Sequence, residues 1–348
     1  MEKKLLYEVS IIRPLIIFLL VVLHSFTIYG GGWEMPEGID GVPVYYWMCK
    51  LISGFRVETI ALVAGYVFAY QSIVLGRKYE FKSFAWKKVK RLLLPMLFFG
   101  LIYYFLLKFD KANFTWGSFI MSILSGPGHL WFLPMLFWCF ISIWLIDRFR
   151  LSSIWLLLVL AAVSIVPIPV SLPFGLQRLS YFLFYCYAGY YLYENKEKIV
   201  GKCQNIPFIV VLCVLYFALL LVNYIWVIPY GWEANAEGTM RYVRIFASSG
   251  LKLLYSCCGI MALYLIVLKY SSKPNYCPSK LVLKSNSMCY GVYVYHQFLL
   301  VFLYYHTQLP VLVGSYALPF VGFAITFIVS VLLTWLTLKT KFGRALIG

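Results

Sequence analysis

The chain has 348 residues, of which 62% are hydrophobic, 20% aromatic and only 12% charged. Soluble domains run about 45–50% apolar and about 25% charged, so a cytosolic enzyme, a secreted domain and a disordered chain are excluded. A net charge of +17, from 30 Lys and Arg against 13 Asp and Glu, would suggest nucleic acid in a soluble protein. In a membrane protein the same excess follows from basic residues gathering in cytoplasmic loops, and no nucleic-acid partner is expected.

The expected fold class is all-α, a polytopic transmembrane helical bundle. Apolar runs fall at 11–29, 44–72, 92–108, 129–146, 153–170, 179–193, 206–228, 243–268, 287–306 and 317–338. Each is near the length of about 20 residues that a helix needs to cross the hydrocarbon, giving about ten spans. The fifth run is broken at its end by Pro167 and Pro169, and the sixth is short. The first run carries Arg13 and His24 and is too long for the apolar part of a leader, so it reads as a retained span. The segment 112–128 is moderately apolar and ends in Gly and Pro, as a loop helix or a re-entrant piece would. With no repeat, low-complexity stretch or soluble domain, residues 1–348 read as a single integral-membrane domain.

An even number of spans puts both termini on one side, and the charges choose which. Lys3 and Lys4, 77–91, 147–150, 194–204, 269–284 and 339–344 are basic. The opposite loops hold Glu34, Glu37, Asp40, Lys111, Arg178, Glu233, Glu237 and Arg241. The positive-inside rule therefore places both termini in the cytoplasm of a multi-pass plasma (inner) membrane protein surrounded by membrane lipids. Trp33, Tyr45, Tyr46, Trp47, Trp116, Trp131, Trp226, Tyr230 and Trp232 crowd the outer half, as an interfacial belt or as platforms for sugar rings. Nine cysteines lack any CxxC or metal spacing and lie mostly in apolar runs, so neither disulfides nor a metal site is expected.

Ionisable groups inside spans are costly and face a protein interior or a wet cavity. Here they are Arg13, His24, Lys50, Arg56, Glu58, Lys252 and His296. Arg13 and His24 are eleven residues apart, about three turns, so they share one helix face about 16 Å apart along the axis. Arg13 alone reads equally as a snorkelling arginine, and His24 as an interhelical hydrogen-bonding group. Arg56 and Glu58 are two apart and cannot face each other on a helix, so Glu58 either joins an interhelical ion pair or orients a histidine acting as a base. His129 opens the fourth run, His296 sits mid-span among tyrosines, and His306 ends the ninth run as an interfacial residue. The run RKYEFKSFAWKKVKR at 77–91 is the densest basic patch, either a lipid-headgroup anchor or a cytoplasmic phosphate site.

Several segments, in order, resemble the membrane acyltransferase-3 family, multi-pass O-acyltransferases of sugars and polysaccharides. IIRPLIIFLLVVLHSF, with Arg13 and His24, is similar to that family's first-helix signature. FRVETIALVAGYVFAY at 55–70 resembles its acidic second-helix motif, with Glu58 at the acid position and Gly65–Tyr66 closing it. KKVKRLLLP at 87–95, GHLWFLPMLF at 128–137, YCYAGYYLYENKEKI at 185–199 and NSMCYGVYVYHQFLL at 286–300 resemble its later elements. The chain departs from the pattern at Ala64, Ile60 and Ala61, and in using Lys87, Lys88 and Lys90 where arginines are common.

The resemblance implies transfer of an acyl group, acetyl by family habit, from cytoplasmic acyl-CoA (acetyl-CoA) to a hydroxyl of a cell-surface glycan or its lipid-linked precursor, with no permanently bound cofactor. It implies that Arg13, Lys87, Lys88, Lys90 and Arg91 hold CoA, and that His24 is the general base, or less readily an acyl carrier, oriented by Glu58 or His296. On the acceptor side it implies His129, Trp131, Tyr293 and Tyr295. From the spans and charges alone, a transporter or flippase for a lipid-linked glycan is the competing reading, although no paired inverted repeat is found.

Overall fold

The computed structural model describes residues 6–108, 114–166, 168, 172–203, 205–229 and 238–348. Lys3, Lys4, Lys111, Pro167, Pro169, Tyr230, Trp232, Glu233 and Glu237 lie outside the described residues. Every regular element among the described residues is helical. In chain order these are α1 (Tyr7–Phe26), α2 (Pro43–Ser53), α3 (Arg56–Ile73), α4 (Phe81–Lys88), α5 (Leu94–Tyr103), α6 (Trp116–Ser125), α7 (Phe132–Arg148) and α8 (Ile154–Ile165). There follow α9 (Leu179–Glu194), α10 (Lys196–Cys203), α11 (Ile206–Val222), α12 (Gly238–Ser271), α13 (Lys280–Tyr305), α14 (Leu309–Lys339) and α15 (Lys341–Ile347).

Among the described residues, seven helical stretches are long and apolar enough to cross a membrane, among them α1, the α2–α3 pair and α12. The runs at 153–170, 179–193 and 287–306 also fold as helices, α8, α9 and α13, outside that set. α8 stops at Ile165, short of the full run, and α9 has only 16 residues. Segment 112–128 yields the short apolar helix α6, whose Trp116 is exposed.

The α2–α3 run is broken at Gly54–Phe55, and the break frees backbone carbonyls inside an apolar bundle. Such groups need internal partners. The Tyr216 hydroxyl donates to the Leu51 carbonyl and the Ser256 hydroxyl to the Gly54 carbonyl, so α11 and α12 seal the gap. Helix α3 restarts at Arg56, which puts Glu58 in its first turn, where a carboxylate is favoured by the helix dipole.

Helices α3 and α9 meet backbone to backbone. A Cβ on Gly65 would lie 1.8 Å from the Cys186 carbonyl oxygen, and one on Gly189 would lie 1.9 Å from that of Leu62. This is the small-residue packing that lets membrane helices approach closely, and it gives the two Gly-Tyr pairs, 65–66 and 189–190, a structural role. Around this crossing one hydrophobic core joins buried side chains of α1, α3, α5, α7, α9, α12 and α13. By contrast α8, α11 and α14 expose large apolar side chains such as Trp155, Val214 and Phe320, the surface a bilayer would cover.

The basic segments converge where α1 begins. Lys196 pairs with Glu8 at 2.7 Å, Tyr276 packs on Tyr7, and α15 packs on the turn at Val89–Leu93. At the opposite end the Tyr305 hydroxyl donates to the Glu34 carbonyl at 2.7 Å.

Candidate active site

Helix α1 runs unbroken from the basic end to His24, with Pro14 inside its first half. His24 is half-buried, and its ring lies 4.9 Å, centroid to centroid, from that of the fully buried His296 on α13. His296 Nε2 is 2.9 Å from His24 Nδ1, and His296 Nδ1 is 2.7 Å from the Tyr293 carbonyl oxygen. A carbonyl only accepts, so His296 Nδ1 carries a proton. In the neutral pair His296 Nε2 must then accept from His24 Nδ1–H. The proton-free nitrogen of His24 is therefore Nε2, which has no hydrogen-bond partner among the described residues. That is the tautomer a general base needs, held by a second imidazole.

His129 joins this pair from a third direction. It sits in the turn Gly128–Trp131, its ring 4.9 Å from that of His296. The turn depends on Gly126 and Gly128, both at positive φ. A Cβ on Gly126 would meet the Leu130 backbone at 2.7 Å, and one on Gly128 would meet the Tyr103 ring at 2.7 Å. His129 Nε2 donates to the Val294 carbonyl at 3.0 Å, and the Tyr293 hydroxyl donates to the His129 carbonyl at 2.6 Å. His129 and Tyr293 thus brace the imidazole pair. Among the described residues no group of three His, Cys, Asp or Glu side chains is arranged to hold a metal ion, and all nine cysteines are free.

Glu58 does not touch a histidine. It accepts from the Tyr181 hydroxyl at 2.9 Å and pairs with Lys252 at 3.6 Å. The restart of the helix at Arg56 turns it toward α9 and α12. It lines a cavity of about 470 Å³ together with Arg56, Trp131, Arg178, Phe182 and Lys252. Arg56, in this wall, lies within electrostatic reach of His24 and His296. Arg178 stacks 3.8 Å above the Trp131 ring, and burial there pushes its guanidinium below its ordinary pKa. Tyr295 is turned away from this region. Its hydroxyl lies 2.8 Å from Thr337 Oγ1 and its ring packs on Phe99, because α13 presents that side to α14 and α5.

At the basic end the run 87–91 is split. A π-helical turn over Val89–Leu93 follows α4, changing the angular spacing of its side chains. Lys88 and Arg91 come within electrostatic reach of Arg13; Lys88 is half-buried, whereas Arg13, Lys87, Lys90 and Arg91 are exposed, Lys90 lying over Trp86. Lys88 Nζ lies 3.2 Å over the Phe140 ring. The Tyr290 hydroxyl donates to the Arg91 carbonyl at 2.9 Å, and the Tyr290 ring stacks parallel on Tyr293. One packed series of groups thus joins the basic turn to the histidines.

The sequence named Arg56 and Lys252 as intramembrane charges without a role, and counted Arg178 only as a loop charge. Tyr181 carried no signal beyond belonging to a tyrosine-rich helix. Their convergence on one cavity depends on the α3–α9 crossing, which no spacing along the chain reveals.

A family model described as an acyltransferase domain, of the acyltransferase-3 type, matches residues 6–339. No curated protein and no solved structure matches the chain.

Proposed function

The chain belongs to the acyltransferase-3 domain family, and we propose that it moves an acyl group, acetyl in the first instance, from cytoplasmic acyl-CoA to a hydroxyl of a cell-surface glycan or its lipid-linked precursor. The observation that carries this reading is the hydrogen bond between His296 Nε2 and His24 Nδ1. It leaves His24 Nε2 as a base held in one tautomer, within electrostatic reach of Arg56, which lines a cavity.

In the proposed reaction the acceptor hydroxyl loses its proton to His24 Nε2 as its oxygen attacks the thioester carbonyl. The tetrahedral intermediate collapses with cleavage of the carbon–sulfur bond. The CoA thiolate leaves and takes the proton back from His24, so ester and free thiol are formed and the base is restored. His296 is a positioning residue, passing the orientation of its Tyr293 contact to His24. Arg13, Lys88 and Arg91 supply the positive charge for the CoA phosphates.

The reading places the chain in the inner membrane with ten crossings and both termini cytoplasmic. Reporters fused after Glu37 and Lys82 should report outside and inside respectively. The direct test uses membranes containing the full chain and labelled acetyl-CoA, followed by mass spectrometry of surface glycans. A discrete added acyl mass that depends on the chain supports the reading. Movement of a lipid-linked glycan without CoA, and no added mass, would replace acyl transfer with transport.

A further inference from the structure

Among the described residues, the cavity lined by Arg56 and Glu58 has a charge imbalance that proton transfer at His24 does not use. Three cations, Arg56, Arg178 and Lys252, face one carboxylate, Glu58. Lys252 is paired with that carboxylate at 3.6 Å. Arg56 and Arg178 make no hydrogen bond or ion pair with any described residue, and Arg56 Nε and one terminal nitrogen of Arg178 are buried without a partner. Arg178 lies over the Trp131 ring face.

Both side chains are half-buried, and guanidinium nitrogens buried without an acceptor are unfavourable unless something supplies one. Guanidinium presents a planar fork of donors that matches the paired oxygens of phosphate or carboxylate. The second oxygen of Glu58 is also buried and unpartnered. A carboxylate oxygen is an acceptor, so its complement is a donor, and on a sugar that donor is a hydroxyl. The cavity therefore offers donors for an oxyanion, an acceptor for a hydroxyl and the aromatic faces of Tyr181 and Phe182.

We propose that this cavity is the acceptor pocket and that it selects a glycan bearing an anionic group, phosphate or carboxylate, recognised by Arg56 and Arg178 while Glu58 accepts from a sugar hydroxyl. This deepens the acyltransfer reading and rests on it. The anion has two possible sources, the diphosphate of a lipid-linked sugar or the carboxylate of an acidic sugar.

The test is binding to the purified full chain in nanodiscs of zwitterionic lipid, without acyl donor. The probes are a polyprenyl-diphosphate-linked disaccharide, a disaccharide ending in a uronic acid, the methyl ester of that disaccharide and a neutral polyprenyl glycoside. At least one anionic probe is expected to bind about 10-fold or more tightly than its neutral counterpart, and to weaken with added salt. The probe that does so identifies the source of the charge. Arg178→Gln should remove that preference and Arg178→Lys should restore part of it, a pattern that misfolding would not produce. Equal binding of charged and neutral probes, failure of both anionic probes to bind, or an unchanged preference in Arg178→Gln would each overturn the proposal. His24→Ala should leave binding intact while removing transfer. Loss of charge selectivity alongside intact transfer therefore rejects the pocket and not the reaction, and the reverse pattern rejects the reaction and not the pocket.

Discussion

His296 Nε2 and His24 Nδ1 are 2.9 Å apart although 272 residues separate them in the chain. Because the other nitrogen of His296 faces a backbone carbonyl, the contact has one direction in the neutral pair, from His24 to His296. His24→Ala removes the base and is expected to lower acyl transfer by about 10²- to 10⁴-fold. His296→Ala leaves the base free to rotate and should lower kcat by less than His24→Ala does, with little change in the donor KM. Labelled acetyl incorporation in membranes, corrected for the amount of folded chain, checks both. An equal donor-KM effect from His296→Ala would remove it from the orienting role.

The α3–α9 contact makes a second prediction, about folding rather than chemistry. In Gly65→Ala and Gly189→Ala the new methyl group meets a backbone carbonyl, which cannot move aside as a side chain can. Overpacking of this kind costs about 1–3 kcal/mol or more. Thermal unfolding of the detergent-purified chain should shift down in both variants. Gly250→Ala, where the added carbon meets nothing within 4 Å, should leave it unmoved or raised.

These two cases mark what could be read from the chain and what could not. Membrane residence follows from composition, and the shared face of Arg13 and His24 follows from the 3.6-residue period of an unbroken helix. The contact between His24 and His296 lies across two helices, and spacing along one helix says nothing about which faces meet. Glu58 was legible as an intramembrane acid. Its partners were not, because the break at Gly54–Phe55 and the restart at Arg56 set its direction. The basic run was legible as charge, but the π-helical turn that sorts its members has no clear signature in VKRLL. Length and composition pick out fewer crossings than the ten apolar runs because α8 and α9 are short and α13 carries polar groups.

A buried network at the basic end gives a third prediction. Glu8 accepts from Lys196 at 2.7 Å and from the Tyr66 hydroxyl at 2.7 Å, and Tyr66 is 3.1 Å from the Tyr264 hydroxyl. Lys196→Met leaves a buried carboxylate without its cationic partner. Removing one member of a buried pair costs about 3–5 kcal/mol; the partial exposure of Lys196 puts the expected loss below that. The double variant Glu8→Gln with Lys196→Met removes the charge as well and should recover part of the lost thermal stability. If the double variant is no more stable than Lys196→Met alone, the pair is not what holds α1 to α10.

The split of the basic run separates donor binding from general surface charge. Arg13, Lys88 and Arg91 act electrostatically on one another, whereas Lys87 and Lys90, exposed like Arg13 and Arg91, stand outside that set. All five would attract an anionic ligand from a distance, but only that set lies at the start of the α1 face that leads to His24. A charge-assisted contact to phosphate contributes about 1.5–3 kcal/mol, which corresponds to about a 10-fold or larger rise in the acetyl-CoA KM when it is removed. That rise is expected for Arg13→Gln and Arg91→Gln, with kcat changed less. Lys87→Gln and Lys90→Gln should move KM by much less, and that small effect should fade at high salt because it is long-range attraction rather than contact. Lys88→Gln is the discriminating case, since its ammonium is held over Phe140 rather than in solvent. A KM effect matching that of Arg91→Gln places it in the phosphate site. An effect on thermal stability alone makes it a packing residue, and equal KM effects across all five positions would dissolve the set as a binding unit.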